Sequence, residues 1–392
     1  MVVGIPKEIL ENEGRVAALP SEVAEYVKMG FEVLVETNAG AAAFQSDDDY
    51  KAAGASIVAD VADLWDRADI ILKVKQPEPN TALGKHEAEL MSEGKILITF
   101  LHPANPSNHG FVRTLAERKV TALTMDGIPR ISRAQTMDAL TSMSTITGYK
   151  SVIMGAHRLP EFIPMIGTAI GVTRPRNCLI IGTGVVGLQA VATAKRLGGV
   201  VRALDIREAA RTEADSLGAK IAGFEVPPEI AMAEGGYARS LPQEWLEKER
   251  EALKPVAVDS DLIILSALVP GEVAPVLITE EMVAGMRPGS VIIDVSVDQG
   301  GNCACTQAGK EVYVDGVLVS AIANIPGSMP VVASWLYGKN MLEYVKNLFK
   351  NGLDAPDWDD DIVQSTLVTR GGAIVHKGTL QAMGVSSEGA AS

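Results

Sequence analysis

One stretch of this 392-residue chain, Asn177 to Glu208, constrains the possible folds more than any other. An apolar run there ends in the turn GTGVVG, a helical pattern follows, and a second apolar run ends at Asp205. A glycine turn alone can be purely structural, but here the order strand, turn, helix and strand is complete. The spacing therefore predicts a βαβ unit that binds the pyrophosphate of a dinucleotide at the amino terminus of its helix.

The residues of this turn have separate physical roles. Gly182 permits the tight turn, Gly184 lets the backbone approach a pyrophosphate, and Gly187 lets the helix pack close to the strand. Asp205 lies at about the expected spacing of twenty residues for the group that binds the ribose hydroxyls. Its carboxylate favours NAD over NADP because it would repel a 2′-phosphate, and Arg207 nearby weakens that preference. The predicted cofactor contacts here are Gly182, Gly184, Val185, Val186, Gly187 and Asp205.

Composition argues against several classes of protein. The formal net charge is −14, so a polyanion would be repelled and nucleic-acid binding is not expected. Cys303 and Cys305 are separated by one residue and have no second ligand pair nearby, which does not fit zinc. No apolar run approaches the roughly 20 residues that a membrane span needs, and no signal peptide is apparent. We therefore expect a soluble, cytoplasmic protein without a metal site.

Strand-like and helix-like segments alternate along the chain, which predicts an α/β fold with two doubly wound parallel sheets. The last segment is too short for its own core, so we expect a discontinuous substrate domain of residues 1–142 and 325–392. Residues 143–324 are expected to form the Rossmann NAD-binding domain with a linking helix. Ligands bind at the carboxyl ends of parallel strands, so the loop after SDLIIL adds Ala267 and Leu268 to the predicted cofactor contacts.

Five polar residues are candidates for chemistry on a substrate: Arg15, Lys75, His102, Asp298 and Asn324. Arginine and lysine can bind a carboxylate, histidine can exchange a proton near neutral pH, and aspartate can hold an ammonium group. Each also has an ordinary explanation. Arg15 fits a surface salt bridge, Lys75 a solvated strand end and His102 a hydrogen-bonded structural residue, and the other two fit turns. Together, beside a dinucleotide, they fit hydride transfer at the α-carbon of an amino or hydroxy acid.

Further motifs resemble the alanine dehydrogenase and nicotinamide nucleotide transhydrogenase α-subunit family over nearly the whole chain. They are IPKE, GRVA, GFEVLVETNAG, ADIILKVKQP, GTGVVG, LITEEMVAGMRPGSVIIDV and GGNC. Four other motifs are similar to the transhydrogenase branch of the family: PRISRAQTMDAL, AEGGYARSL, ATAKRLG and TRGGAIVH. For the first of these motifs, the resemblance implies that Arg130, Gln135 and Asp138 hold the nicotinamide and face an NADP-binding partner component.

The substrate positions resemble alanine dehydrogenases instead. KVKQP places Lys75 at the position of their substrate lysine, and FLHP places His102 at that of their catalytic histidine. Two further motifs, DVSVDQGG and ANIPGSMP, are similar to motifs of alanine dehydrogenases. The resemblance implies that Asp298 and Asn324 also lie at substrate positions. The pair Met143-Ser144 resembles their methionine–serine pair, which implies that Ser144 lies near the nicotinamide.

The main hypothesis is an NAD-dependent oxidoreductase that acts on a small amino acid or 2-oxo acid. Lys75, His102 and Asp298 are its predicted catalytic residues, and Arg15, Lys75 and Asn324 are predicted to bind the carboxylate-bearing substrate. A transhydrogenase α component acts on no organic substrate and would not need these ionisable groups, which are costly in a closed cleft.

Three alternatives remain open. One is the α subunit of a proton-translocating transhydrogenase, with membrane and NADP-binding partner subunits. Another is a 2-hydroxy-acid or opine-type dehydrogenase. The third is a non-enzymatic NAD-sensing or interaction module. The family resemblance also implies a homo-oligomer, at least a dimer.

Overall fold

A computed structural model describes residues 1–223, 225–232, 238–269 and 273–385. The contacts divide the chain into two compact units. Unit 1 comprises Met1–Met143 and Pro326–Ser392, and unit 2 comprises Ser144–Ile325.

Strands and helices alternate in both units. The amino-terminal third of the chain forms β1 (Val2–Ile5), α1 (Pro20–Lys28), β2 (Glu32–Glu36), α2 (Asp47–Ala52), β3 (Ser56–Val58), α3 (Val61–Arg67), β4 (Ile70–Leu72), β5 (Pro79–Asn80), β6 (Lys85–His86), β7 (Ile96–Thr99), α4 (His109–Glu117), β8 (Thr121–Thr124) and α5 (Ala139–Arg158). The middle of the chain forms β9 (Gly167–Thr168), β10 (Gly171–Val172), β11 (Asn177–Ile181), α6 (Val185–Arg196), β12 (Val200–Leu204), α7 (Glu208–Ser216), β13 (Lys220–Ile221), α8 (Pro228–Ala231), α9 (Gln243–Val258), β14 (Leu262–Leu265), α10 (Glu280–Gly285), β15 (Val291–Asp294), β16 (Glu311–Val314) and β17 (Val317–Ser320). The carboxyl-terminal segment forms α11 (Pro330–Leu348), α12 (Asp361–Thr366), β18 (Leu367–Arg370), β19 (Ala373–Ile374) and α13 (Lys377–Ala382).

Unit 1 is built on an eight-stranded sheet with the order β19-β18-β8-β7-β4-β1-β2-β3. The six strands from β8 to β3 are parallel. β4 and β7 are wholly apolar or nearly so and fully buried, as expected for central strands covered on both faces. β18 and β19 are antiparallel because Gly371 and Gly372, both with positive φ, join them in a tight hairpin. The late segment therefore extends the first sheet at its edge.

Unit 2 contains a seven-stranded sheet with the order β13-β12-β11-β14-β15-β17-β16, parallel except for β16. The order reverses at β11, so the loops after β11, β12 and β14 meet at one edge of the sheet. This is where an open α/β sheet binds its ligands. The predicted α/β class with two doubly wound sheets is confirmed. Among the helices of the described ranges, none is long and apolar enough to cross a membrane.

Candidate functional site

The glycine turn of unit 2 leaves space where a pyrophosphate would lie. Gly182 has a φ of +83°, and a Cβ there would lie 2.7 Å from the Ala267 nitrogen. A Cβ on Gly187 would lie 1.9 Å from the Gly182 carbonyl oxygen. Gly184 precedes α6, and a Cβ there would meet no atom within 4 Å. Val185 and Val186 open the helix, so their N–H groups face this open space. The turn therefore fits the pyrophosphate of NAD.

Asp205 follows β12 and is bonded directly to the glycine turn. Its carboxylate accepts the Thr183 N–H at 2.8 Å, and the Thr183 hydroxyl lies 3.3 Å from it. Arg207 also donates to it, from Nε at 3.0 Å and from Nη2 at 2.9 Å. Burial leaves only 5 % of the Asp205 side chain exposed. The predicted ribose-binding carboxylate and the predicted phosphate turn therefore form one connected group.

The loop after β14 completes this edge of the sheet. The Ser266 hydroxyl donates to the Gly182 carbonyl at 2.8 Å. The buried side chain of Asn302 binds both polar groups of the Ala267 backbone, accepting from its nitrogen at 3.0 Å and donating to its oxygen at 2.9 Å. Leu268 is exposed beside them. Asn302 belongs to the motif GGNC, but its role in holding the Ala267 backbone was not predicted from the sequence.

The other candidate residues of unit 2 are Asp298, Asn324 and Ser144. Asp298 is exposed in a single helical turn, Val297–Gln299, just after β15, the strand next to β14. Asn324 is half-buried, with a φ of +54° that asparagine tolerates better than most residues. Ser144 is half-buried in α5. Asp298 and the Ala267 loop thus follow neighbouring strands at the same edge of the sheet.

Unit 1 holds Arg15 in a buried ion pair. Its guanidinium donates to Glu13 from Nε at 2.7 Å and from Nη2 at 2.5 Å, and its Nη1 lies 3.1 Å from the Met143 sulfur. Both charged side chains are at most 2 % exposed. The surface salt bridge considered from the sequence is wrong, because the ion pair is buried. Glu13 holds one edge of the Arg15 guanidinium, so the N–H groups on the other edge point in a defined direction.

Lys75 lies beyond the end of β4 on a backbone segment that is bonded on several sides. The Thr99 hydroxyl donates to the Lys75 carbonyl at 2.8 Å, and the Val74 nitrogen donates to Glu8 at 2.6 Å. The Glu8 carboxylate also lies 3.2 Å from the Lys73 ammonium. Glu87 lies at the same distance on the other side of that ammonium. The buried charge of Lys73 therefore anchors the segment that carries the half-buried Lys75.

His102 follows β7 and is paired with an acid that was not predicted from the sequence. Its Nδ1 lies 2.8 Å from an Asp126 carboxylate oxygen, and the His102 nitrogen donates to the other oxygen at 2.7 Å. The ring stacks on Phe100 with a centroid distance of 5.7 Å, and 40 % of the His102 side chain is exposed. Burial acts to raise the pKa of Asp126, but electrostatic attraction to His102 and the hydrogen bonds from His102 and Thr124 outweigh it, so the pKa is lowered.

This pairing fixes which nitrogen of the imidazole can exchange a proton. An ionised Asp126 accepts from Nδ1–H, which leaves Nε2 as the nitrogen that accepts a proton. Asp126 follows β8, the neighbour of β7 in the sheet. The signal for it was therefore an acid immediately after TALTM, next to the strand that carries His102. Arg15, Lys75 and His102 themselves follow three adjacent strands, β1, β4 and β7.

The loop before α5 carries three further predicted residues. Arg130 is exposed, and Gln135 is exposed in the short helix Ser132–Met137. Asp138 accepts the nitrogen and hydroxyl of Thr141 at 2.8 and 2.6 Å, so it caps α5. All three cysteines are free, and no group of His, Cys, Asp and Glu in the described part of the chain is arranged to hold a metal.

Comparisons with known proteins agree on one family. The model of the alanine dehydrogenase/PNT N-terminal domain matches residues 4–147, and that of the C-terminal domain matches residues 151–377. The first segment of the NAD(P) transhydrogenase subunit alpha of Rhodospirillum rubrum is 43 % identical over 96 % of this chain and 98 % of that protein. The alanine dehydrogenase of Halomonas elongata is 33 % identical over 100 % of this chain and 99 % of that protein. The crystal structure of a transhydrogenase from Sinorhizobium meliloti superposes with a TM-score of 0.83 at 35 % identity, covering 96 % of this chain and 100 % of that one.

Proposed function

Because the chain belongs to the alanine dehydrogenase/PNT family, we propose that it is an NAD-dependent oxidoreductase of a small amino acid or 2-oxo acid. The observation that carries the proposal is the His102–Asp126 pair on the same sheet edge as Lys75 and Arg15. A hydride-relay subunit has no need for an oriented imidazole and two cations that follow adjacent strands. A dehydrogenase of a carboxylate-bearing substrate needs all of them.

The proposed reaction is reversible oxidative deamination. The amino acid, NAD and water give the 2-oxo acid, ammonium, NADH and a proton. The nicotinamide of NAD, when bound by unit 2, would supply the hydride acceptor for the α-carbon. Arg15 and Lys75 bind the substrate carboxylate and polarise the carbonyl or imine. His102 takes up the proton through Nε2, while Asp126 stabilises the resulting imidazolium.

Unit 2 supplies the remaining proposed roles. Asp298 binds the ammonium group or orients the water, and Asn324 contacts the substrate. Gly182, Gly184, Gly187 and Asp205 bind the cofactor, together with the Ala267–Leu268 backbone. Ser144 contacts the nicotinamide side of the cofactor.

A panel of amino acids tested with NAD checks this function through NADH absorbance. One or more small amino acids should give turnover, and His102→Gln should lower it by about 10²–10⁴-fold. His157→Asn is the matched control, because His157 is exposed on α5. Silence across the whole panel, or equal losses in both histidine variants, would reject the dehydrogenase.

The α subunit of a proton-translocating transhydrogenase is the second candidate. It is favoured by the 43 % identity to the Rhodospirillum rubrum subunit and by the exposed loop that carries Arg130 and Gln135. In this function the chain would pass hydride from NADH to NADP on a partner subunit, and Arg130, Gln135 and Asp138 would hold the nicotinamide.

Reconstitution with NADP-binding and membrane subunits separates the two candidates. The transhydrogenase predicts NADP reduction by NADH only in the complex, with little effect of His102→Gln. The dehydrogenase predicts amino-acid turnover by the isolated chain and a large effect of the same variant.

We also propose a homo-oligomer, at least a dimer, and a cytoplasmic location. The three free thiols suit a reducing compartment. An exposed apolar hairpin in unit 2, formed by β9 and β10, is the proposed contact between subunits.

A further inference from the structure

Asp205 has as many hydrogen-bond donors as a carboxylate ordinarily accepts. Four N–H groups donate to it: the backbone nitrogen of Thr183, and the backbone nitrogen, Nε and Nη2 of Arg207. The Thr183 hydroxyl also lies 3.3 Å away, but its one proton has a closer acceptor in the Ala210 carbonyl at 3.0 Å. A carboxylate offers about four lone-pair positions. The carboxylate is therefore saturated within the chain itself, and two of its four donors belong to the Arg207 side chain.

The adenosine ribose of NAD brings two hydroxyl donors to the same carboxylate. The Thr183 bonds hold the glycine turn, and the backbone nitrogen of Arg207 lies only two residues away from Asp205. Neither can move without rearranging β11 or β12. The two side-chain bonds of Arg207 are the ones that can break, because its side chain reaches the surface, where 21 % of it is exposed.

We propose that Arg207 determines nucleotide affinity and selectivity by competing with the cofactor for Asp205. In the free protein its guanidinium occupies the ribose-binding face of the carboxylate, and NAD displaces it. The same ion pair neutralises Arg207, which would otherwise attract the 2′-phosphate of NADP. This inference concerns cofactor choice and holds for either candidate function.

Equilibrium binding of NAD and NADP to the full chain, measured by titration calorimetry, tests the competition. Arg207→Gln should lower the Kd for NAD by about 3- to 10-fold, since the ribose no longer breaks an ion pair. Arg211→Gln is the matched control, because Arg211 contacts the backbone carbonyls of Asp205 and Ile206 but not the carboxylate. Weaker NAD binding by Arg207→Gln would overturn the proposal, because it would mean that Arg207 holds the bound cofactor.

A second pair of variants tests selectivity. Asp205→Asn should weaken NAD binding and shift the NADP-to-NAD affinity ratio towards NADP by on the order of tenfold or more. Adding Arg207→Gln to Asp205→Asn should abolish that shift. If the double variant kept the NADP preference, the gain would come from removing the acid alone and Arg207 would have no part in it. Thermal unfolding shows whether each variant is folded. Because the binding measurements need no turnover, they distinguish a failure of this inference from a failure of the proposed reaction.

Discussion

At the scale of single residues, the most informative feature of unit 1 is the pairing of His102 with Asp126. The carboxylate receives the imidazole Nδ1–H, the His102 backbone nitrogen and the Thr124 hydroxyl, the last at 2.5 Å. One acid therefore sets the tautomer, the ring direction and the backbone turn of the histidine, whose φ is +44°. A histidine with only a structural role does not need its tautomer fixed in this way.

Asp126→Asn tests that arrangement. The amide retains the shape of the side chain but offers both a donor and an acceptor, so it favours no single tautomer. We expect amino-acid turnover to fall by on the order of 10²-fold while NAD affinity is unchanged. Asp48→Asn, on the exposed face of α2, is the control for loss of an acid. Unchanged steady-state kinetics in Asp126→Asn would show that Asp126 is not needed to orient a proton carrier.

Glu249, buried on α9, gives a prediction for stability. Burial raises the pKa of its carboxyl to about 7 from the ordinary 4.5, and the charge of Asp205 acts in the same direction. Between these values the folded chain retains a proton that the unfolded chain releases. The free energy of unfolding therefore falls as the pH rises from about 4.5 to about 7, by about 3 kcal/mol in total.

Glu249→Gln removes this dependence because an amide stays neutral. The variant should be more stable than the natural chain at pH 8 and lose that advantage at pH 5. Urea unfolding at several pH values measures the difference and cancels the contributions of other acids. A stability difference that does not vary with pH would contradict the assignment.

The residues of the nucleotide turn were predictable because backbone geometry requires them. Gly182 and Gly187 have no room for a Cβ, and this requirement appears in the sequence as a fixed spacing. The partners Asp126 and Asn302 were not predictable in this way. Their roles depend on which strands become neighbours, and a side chain's partner across a sheet leaves no local pattern in the sequence.

At the scale of secondary structure, the alternating apolar runs predicted the strands of both sheets and their class. The antiparallel direction of β18 and β19 was not predicted. It depends on the two-glycine hairpin that joins them and on pairing with β8, which is about 240 residues earlier in the chain. α5 begins at Ala139, because Asp138 caps it and the preceding residues form a separate short helix.

Substitutions at two glycines at the start of α6 distinguish an effect on folding from an effect on NAD binding. A Cβ on Gly184 would meet nothing, so Gly184→Ala should keep the stability of the chain and weaken NAD binding, because the methyl group occupies the space for the pyrophosphate. A Cβ on Gly187 would overlap the Gly182 carbonyl, so Gly187→Ala should also lower the free energy of unfolding by about 1–3 kcal/mol.

Unfolding and NAD titration of the two variants side by side make the comparison. Gly184→Ala is the folded reference for Gly187→Ala. Equal stability of both variants would show that α6 can shift away from β11, and full NAD affinity in Gly184→Ala would place the pyrophosphate elsewhere.

At the scale of the whole molecule, the proposed function assigns different tasks to the two units. Unit 2 carries the nucleotide turn and unit 1 the oriented histidine and the two cations. Lys75→Met should therefore leave the Kd for NAD unchanged while the KM of the amino acid rises by about tenfold or more, in line with the loss of a charge-assisted bond. Parallel loss of NAD binding would mean that Lys75 contributes to the cofactor site.

The hairpin of β9 and β10 is the feature that points beyond the single chain. Four large apolar side chains on or near it are exposed, by 61 % for Phe162, 64 % for Met165, 100 % for Ile170 and 66 % for Val172. Such a cluster on an exposed hairpin is typical of a contact surface. Because burial of each such side chain contributes about 1.5–3 kcal/mol, replacing two of them should weaken self-association at least about 100-fold.

Light scattering after size exclusion should show a dimer or larger species for the natural chain and monomers for Ile170→Asp/Val172→Asp. Tyr313→Asp, on the exposed face of β16, should stay oligomeric. A doubly substituted chain that remained oligomeric would place the contact on another surface, and a monomeric natural chain would remove the proposed oligomer.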